Sequence, residues 1–326
     1  MRQLDIVIPV YNESLDLVQR TISEIRDACS SKPNLKFQII IVNDGSDADF
    51  GLSELASSKN ITFLQHDKNQ GYGQALKTGI LAGSAPSIAI LDADGTYPAS
   101  DLPKLIEHID NHDMVLGVRT GEVREIPLLR RFPKLMLNKF ASYMAGKEIV
   151  DLNTGMRVFS RRLAFYLWGL YPSGFSFTST LTMGATLGGF RVKEVPINYF
   201  KRAGSSSIHP IKDTIRFFRL VSRLGLLFSP KKLFTPIALL FVLAGLIKGL
   251  GVDYVGQGYI GNLAMIFILS GVQIFMMGLV AQLVVLSRSI NLDHQSIPNV
   301  GANKINRVQG ETDITDSPQQ SREAVQ

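Results

Sequence analysis

The stretch Ser87-Ile88-Ala89-Ile90-Leu91-Asp92-Ala93-Asp94-Gly95-Thr96-Tyr97-Pro98 decides how this chain folds. Five apolar or small residues form a short buried strand, and two carboxylates follow on the turn just past its C-terminal end. In an open α/β sheet, ligands bind outside the carboxyl ends of the strands. Two acidic oxygens there suit a hard, oxygen-rich site of the kind Mg²⁺ or Mn²⁺ shares with a diphosphate. Asp-x-Asp by itself is also ordinary turn and cap chemistry, so its meaning depends on what surrounds it.

Upstream and downstream, apolar strands alternate with helical patterns. Leu4 to Val10, Phe37 to Val42, Thr62 to Leu64, Ser87 to Leu91, Met114 to Gly117 and Val192 to Val195 read as strands. Helices are expected near Leu15 to Cys29, Leu52 to Ser57, Gln74 to Gly83 and Leu102 to Ile109. The alternation predicts an α/β fold, a mostly parallel sheet with helices on both faces.

Three further loops are expected at the same sheet edge as the Asp92/Asp94 turn. Ile8-Pro9-Val10-Tyr11-Asn12-Glu13 offers an aromatic face and a carboxylate for a base and ribose. Val42-Asn43-Asp44-Gly45-Ser46 adds an acid on a tight turn. Asn69-Gln70-Gly71-Tyr72-Gly73-Gln74-Ala75 opens a helix with two glycines. Glycine lets a backbone approach a ligand closely, and a helix N-terminus favours anions. Each loop alone is plain turn chemistry; their coincidence after successive strands is not.

The C-terminal third differs in kind. Hydrophobic residues make up 45% of the 326, and the mean hydropathy of +0.14 reflects their concentration here. From Leu233 to Val252 the only charge is Lys248, and from Tyr259 to Leu286 there is none. A helix crossing a bilayer needs roughly 20 apolar residues, so both stretches qualify. The connection around Asp253 to Gly258 carries no Lys or Arg, whereas Lys231, Lys232 and Arg288 flank the outer ends. The positive-inside rule makes this a hairpin with its turn outside and both ends in the cytoplasm. Lys248 is expected to snorkel from the outer end of the first span. Gln273 and Gln282 are compatible with a helix–helix contact.

Ahead of the hairpin, Lys212, Arg216, Arg219 and Arg223 recur at intervals of four, three and four on one helical face, beside Ile211, Ile215, Phe218, Leu220, Leu224 and Leu227. That pattern suits a helix lying in the headgroup layer of an anionic membrane, with packing on its own domain as the alternative. Arg130 to Lys147 is a second, weaker candidate. Asp5 and Pro9 interrupt the N-terminal apolar stretch, so no signal peptide is expected. A single cysteine, Cys29, excludes an intramolecular disulfide and fits a reducing compartment. The net charge of +6 lies largely beside the membrane segments, pointing to lipid rather than nucleic acid. The division expected is 1–208 for the sheet domain, 209–230 for the amphipathic helix, 231–290 for the hairpin and 291–326 for a disordered polar tail.

Taken together, Ile-Pro-Val-Tyr-Asn-Glu, Asn-Asp-Gly-Ser, Asn-x-Gly-x-Gly-x-Ala and Asp-Ala-Asp-Gly-x-x-Pro occur in the order found in family 2 glycosyltransferases of the GT-A fold. With Asn153-Thr154-Gly155-Met156-Arg157-Val158-Phe159-Ser160-Arg161 and Lys201-Arg202-Ala203-Gly204-Ser205-Ser206, the chain resembles the polyprenyl-phosphate subgroup, which includes dolichyl-phosphate mannose synthase. The resemblance covers roughly residues 4 to 290. It implies inverting, metal-dependent transfer from a UDP- or GDP-linked sugar to a polyprenyl phosphate. On matching positions, Pro9, Tyr11, Glu13 and Asp44 would hold the nucleoside. Asp92 and Asp94 would hold Mg²⁺ or Mn²⁺ and the diphosphate, with Arg202 as a cationic partner. Arg119 and Arg131 would meet the lipid phosphate, Arg130 being an equal candidate for the second. Thr96 departs from the family where a glutamine is frequent, and Ser207 where a lysine is.

Between Asp151 and Glu194 there is no acidic residue, while Arg157, Arg161, Arg162, Arg191 and Lys193 fall there. Transfer to a hydroxyl calls for a carboxylate base. A phosphate acceptor is largely ionised near neutral pH, its second pKa being about 6, and needs only cations to position it. The Gln-x-x-Arg-Trp motif of processive polysaccharide synthases is absent, the one tryptophan being Trp168. His209 reads as a cap or interface residue, and no His/Cys grouping suggests zinc. Two rival readings remain: transfer to a lipid hydroxyl, and a catalytically silent membrane scaffold. Oligomeric state is left open.

Overall fold

A computed structural model of the chain describes residues 1–46, 60–119, 136, 139–174, 176–200 and 210–292. The helix expected at Leu52 to Ser57, the residues Arg130, Arg131, Arg202, Ser207 and His209, and the tail from 293 onward lie outside the described residues.

The sheet has seven strands: β1 (Arg2–Val10), β2 (Leu35–Asn43), β3 (Ile61–Gln65), β4 (Ser87–Ile90), β5 (Met114–Arg119), β6 (Arg157–Ser160) and β7 (Val192–Ile197), in the order β3-β2-β1-β4-β6-β5-β7. All neighbours pair parallel except β6, which runs antiparallel between β4 and β5. The strands expected from sequence are all present; β6 is the addition. Its four residues begin with an arginine and are too short to show a period.

Alternation along the strands sorts side chains into two cores, one per face. Ile6, Ile8, Ile39 and Ile41 pack with Val18, Ile22 and Ile25 of α1 (Leu15–Ser30) and with Leu102 and Leu105 around α3 (Leu102–Ile106). Val7, Ile40, Val42 and Ile90 point the other way. They meet Leu76 and Ile80 of α2 (Tyr72–Ala82), Leu163 of α4 (Arg161–Tyr166) and Phe177 and Leu181 of α5 (Phe177–Leu187). Strands buried on both faces read as continuous apolar runs, which is why β1, β2 and β4 were legible. α1 starts at an N-cap, Ser14, whose hydroxyl accepts from the Leu17 amide.

After β3 the chain crosses back over β1 to place β4 on its other side. β1 and β4 thus flank the point where strand order reverses, and a crevice opens there at the carboxyl edge. Because β6 is antiparallel and pairs Arg157 with Ile90, the segment just before it lies at that same edge.

A third apolar cluster joins this unit to the C-terminal helices. Val221 and Leu224 of α6 (Pro210–Phe228) pack with Met144, Ile149, Leu152 and Met183, and Phe218 stacks on Phe140 at 4.7 Å. α6 therefore buries one face on its own domain, while Ile215, Phe218 and Leu226 remain exposed beside Arg216, Arg219 and Arg223. The Tyr143 hydroxyl donates to the Lys232 carbonyl and Lys232 Nζ to that of Met144, tying the domain to the start of the hairpin. Within the hairpin, α7 (Pro230–Leu246) continues through a π-helical stretch, Ile247–Tyr254, before α8 (Asn262–Leu292) returns. Pro230–Tyr254 and Asn262–Ser287 are long and apolar enough to cross a membrane, with mean hydropathies of 2.1 and 2.3 and little of either buried by the protein. Lys248, near the C-terminal end of the first span, pairs with Asp253, which also accepts the Gly261 amide. Pairing neutralises two charges that apolar surroundings would otherwise penalise.

Candidate active site

The loops after β1, β2 and β4 and the loop entering α2 gather at the carboxyl edge and are bonded to one another. The Asn12 amide donates to Ser46 Oγ, which in turn donates to Asn43 Oδ1 at 2.6 Å. Asn12 itself sits at φ 54, a left-handed turn that asparagine tolerates. Pro9, the penultimate residue of β1, is partly buried, Tyr11 is exposed, and Glu13 is half-buried.

Asp44 is placed differently from the other candidates. It is buried, and its oxygens take the amides of Gln70 and Gly71 at 2.9 and 2.8 Å and His66 Nδ1 at 2.6 Å. A carboxylate only accepts, so Nδ1 carries a proton, and Nε2 lies 2.9 Å from the Thr78 hydroxyl. Asp44 therefore organises the glycine loop from beneath. His66 escaped the sequence reading because nothing local marks a histidine 22 residues away as its partner.

The two acids of the β4 turn have distinct surroundings. Asp94 Oδ1 accepts both the amide and the hydroxyl of Thr96, at 3.1 and 2.6 Å. Thr96 is buried, so it orients the acid through its hydroxyl from inside the fold. Asp94, Gly95, Tyr97 and Phe200 line a cavity of about 960 Å³ that runs along α1. Asp92 points inward: its Oδ1 accepts the Tyr72 hydroxyl at 2.9 Å. A methyl group on Gly155 would strike its Oδ2. Tyr97 closes the group by accepting the Gly155 amide at 2.8 Å, and burial pushes its phenol up to about 12. Burial first, then Asp92, raises the Tyr72 phenol, so both tyrosines stay protonated.

Among the described residues no group of three or more His, Cys, Asp or Glu could hold a metal. Two carboxylates and no nitrogen or sulfur suit Mg²⁺ or Mn²⁺, which fills its remaining positions with water and phosphate oxygens. The residues present fit such an ion.

Arg119, at the end of β5, lies bidentate on Asp151, Nε to Oδ2 at 2.6 Å and Nη2 to Oδ1 at 2.7 Å, with its guanidinium 5.1 Å from the Tyr199 ring centre. Burial works against its charge, but the Asp151 bonds and the neighbouring Tyr97 outweigh that and hold its pKa above the ordinary value. Tyr199 packs edge-on against Tyr97 at 5.2 Å, and the Phe200 amide donates to the Thr96 carbonyl. The segment leading into Arg202 is thus pinned to the acidic turn.

Arg157, one of the cations read from the sequence as favouring a phosphate acceptor, is fully buried. It donates to the Thr178 and Thr154 carbonyls and the Thr182 hydroxyl, and its Nε finds no acceptor among the described residues. Desolvation lowers its pKa; Tyr72, Asp151, Tyr97 and Asp92 counter that. The Arg157 charge thus lies within electrostatic reach of Asp92 and Asp151. Arg161 proves to be structural, paired with Asp5 at the opposite edge, while Arg162 is exposed.

Residues 5–166 match the glycosyl transferase family 2 model, and residues 229–285 match the GtrB C-terminal hairpin. A dolichyl-phosphate hexose transferase of Haloferax volcanii is 31% identical over 211 residues, 64% of this chain and 87% of that protein. An undecaprenyl-phosphate 4-deoxy-4-formamido-L-arabinose transferase of Klebsiella pneumoniae is 24% identical over 297 residues, 86% of this chain and 88% of its own. Among solved structures, glucosyl-3-phosphoglycerate synthase of Mycobacterium tuberculosis, with Mn²⁺, UDP-glucose and phosphoglyceric acid, superposes at a TM-score of 0.52 and 16% identity. That likeness covers 69% of this chain and 80% of the synthase, and it bears on the fold alone. The fold is of the GT-A type, and the chain belongs to glycosyl transferase family 2. It is a glycosyltransferase carrying a membrane hairpin.

Proposed function

We propose that this enzyme transfers a sugar, with inversion, from a UDP- or GDP-linked donor to a polyprenyl phosphate at the cytosolic face of a membrane. The observation that carries the reading is the pairing of two unlike sites at one sheet edge. The Asp92/Asp94 turn suits a diphosphate with its cation, and the Arg119 guanidinium beyond Tyr97 suits a second anion. The dolichyl- and undecaprenyl-phosphate transferases that resemble the chain support the acceptor class.

Tyr11 and Glu13 would face the nucleoside, with Asp44 holding the glycine loop in place and Arg202 adding positive charge from the segment pinned at Phe200. A divalent ion on Asp94 and Asp92 would offset the charge of the departing nucleoside diphosphate. Arg119, with Arg131 or Arg130, would orient the acceptor phosphate. Its oxygen forms the new bond to the anomeric carbon as the bond to the diphosphate breaks on the opposite face. No proton needs to leave the acceptor when that oxygen is already anionic. The hairpin, with Lys231, Lys232 and Arg288 on its cytosolic side, would keep the site at the bilayer where long-chain lipid phosphate resides.

The test is direct. Membranes containing the protein are given labelled UDP- and GDP-sugars, and the lipid product is identified by mass spectrometry. An acid-labile polyprenyl sugar phosphate is expected. An acid-stable glycosyl lipid would move the acceptor to a hydroxyl, and absence of any nucleotide-sugar binding would favour a silent scaffold.

A further inference from the structure

Tyr72 lies inside the third loop, between Gly71 and Gly73, and nothing in the sequence separates it from an ordinary helix-start residue. Its backbone is held from two sides. Asp44 takes the amides of Gln70 and Gly71. Gly71 adopts φ 99, and a Cβ there would lie 2.7 Å from the Ser173 carbonyl oxygen. A Cβ on Gly73 would collide with the Pro172 carbonyl oxygen, and the Gln74 amide donates to Ser173 O at 2.9 Å. The first turn of α2 is therefore wedged between the Asp44–His66–Thr78 network and the 172–174 loop. That fixes the direction in which the ring leaves the helix.

The ring packs on the second core, and its hydroxyl reaches across to Asp92 Oδ1 at 2.9 Å. On its other side Asp92 rests against Gly155, where there is no space for a side chain. One carboxylate is thus clamped between a hydroxyl from the glycine loop and the bare backbone ahead of β6. Hydrogen bonds to a ligand carboxylate fix its rotamer, and losing such an outer partner typically weakens metal binding 10- to 100-fold.

We propose that Tyr72 is a positioning residue that sets the Asp92 carboxylate for the metal–diphosphate and couples the glycine loop to the acidic turn through one hydroxyl. The proposal rests on the transferase reading above. A loop that approaches the diphosphate and an acid that approaches its cation then move as one unit, and donor binding assembles both.

The test uses the full chain in detergent, wild type and Tyr72→Phe, with Mn²⁺ titrated against UDP and against GDP by calorimetry. Phenylalanine removes one oxygen and keeps the packed ring. The expected result is a roughly tenfold rise in the Mn²⁺ concentration giving half-maximal nucleotide binding. Nucleotide affinity at saturating Mn²⁺ and the thermal midpoint should stay as in wild type. An unchanged Mn²⁺ requirement would overturn the proposal. So would a fall in thermal midpoint matched by loss of nucleotide affinity at saturating Mn²⁺, which would make the hydroxyl a packing element. Wild-type protein that binds neither nucleotide with Mn²⁺ would overturn the transferase reading itself.

Discussion

Two arginines hold aspartates at 2.6 Å on opposite edges of one sheet, and they are used differently. Arg161 spends Nε on the Ala85 carbonyl, Nη1 on that of Ile80 and Nη2 on Asp5, whose Oδ2 also takes the Ala85 amide. Only 15% of its side chain is exposed, against 34% for Arg119. Burial, only partly offset by Asp5, lowers the pKa of Arg161; Asp151 and the tyrosines hold that of Arg119 above its ordinary value. The first pair is a closed network that locks β1 to the start of α4. The second orients a cation and leaves part of it facing water, as the proposed contact to an acceptor anion would require. Distance alone does not tell a structural ion pair from a functional one. Which edge of the sheet it occupies, and how many donors are already used, does.

If the carboxyl edge is where chemistry happens, the largest effect belongs to its acidic turn. Asp94→Asn should lower sugar transfer by about 10³-fold or more, since it removes an anionic ligand worth several kcal/mol of transition-state charge stabilisation. Metal-dependent nucleotide binding should weaken with it. Near-normal turnover in Mg²⁺ or Mn²⁺ would make the turn structural and dissolve the contrast between the edges.

The amino edge should answer in stability. Arg161→Ala leaves Asp5 buried without its partner, and breaking a buried pair in this way costs about 3–5 kcal/mol. A marked drop in thermal midpoint is expected, with the kcat of the folded fraction close to wild type. Loss of kcat at unchanged stability would show the two edges to be coupled.

Arg119→Ala sharpens the same comparison from the other side. Its stability cost should be the smaller, because a third of its side chain is already exposed to water. The apparent KM for polyprenyl phosphate should rise about 10-fold or more, the scale of a charge-assisted contact to one substrate. Calorimetry should find donor affinity nearly unchanged; an equal loss of nucleotide binding would reassign Arg119 to the donor site.

The same contrast explains what could be read from the sequence. β1, β2 and β4 announce themselves as apolar runs, and the Asp92/Asp94 turn follows directly from where β4 ends. The two spans are legible because a bilayer demands length and apolarity together. Long-range polar partnerships are not. Asp151 is 32 residues from Arg119, Asp5 is 156 from Arg161, and Tyr72 is 20 from Asp92. No local pattern encodes such pairs; only the strand order brings them together. β6 was missed for the same reason, since it is four residues long and its place between β4 and β5 is set by topology. The Asp44 carboxylate was correctly placed at the loop cluster, yet its burial against His66 depends on how β3 enters α2.

The smallest expected effect decides the most about the acceptor. Asp151 is the acid held directly on Arg119, which makes it the described candidate for a general base beside the acceptor. Asp151→Asn keeps an acceptor oxygen for one arm of the Arg119 fork and for the Asn153 amide, and loses the charge. If Asp151 only positions Arg119, the rate should fall a few-fold, well short of the roughly 10² to 10⁴-fold loss typical of a missing general base. The pH dependence adds a sign. The acceptor phosphate reacts as the dianion present above its second pKa of about 6, so kcat should fall as pH drops through that ionisation. Neighbouring cations favour the charged form and move the limb lower. Removing the Asp151 charge leaves Arg119 less neutralised, so the acid limb of the variant should shift further down, not up. A rate loss in the general-base range, with metal and donor still bound, would mean that a proton has to be taken from the acceptor. The nucleophile would then be a hydroxyl, and the Arg119–Asp151 pair a base with its counter-ion.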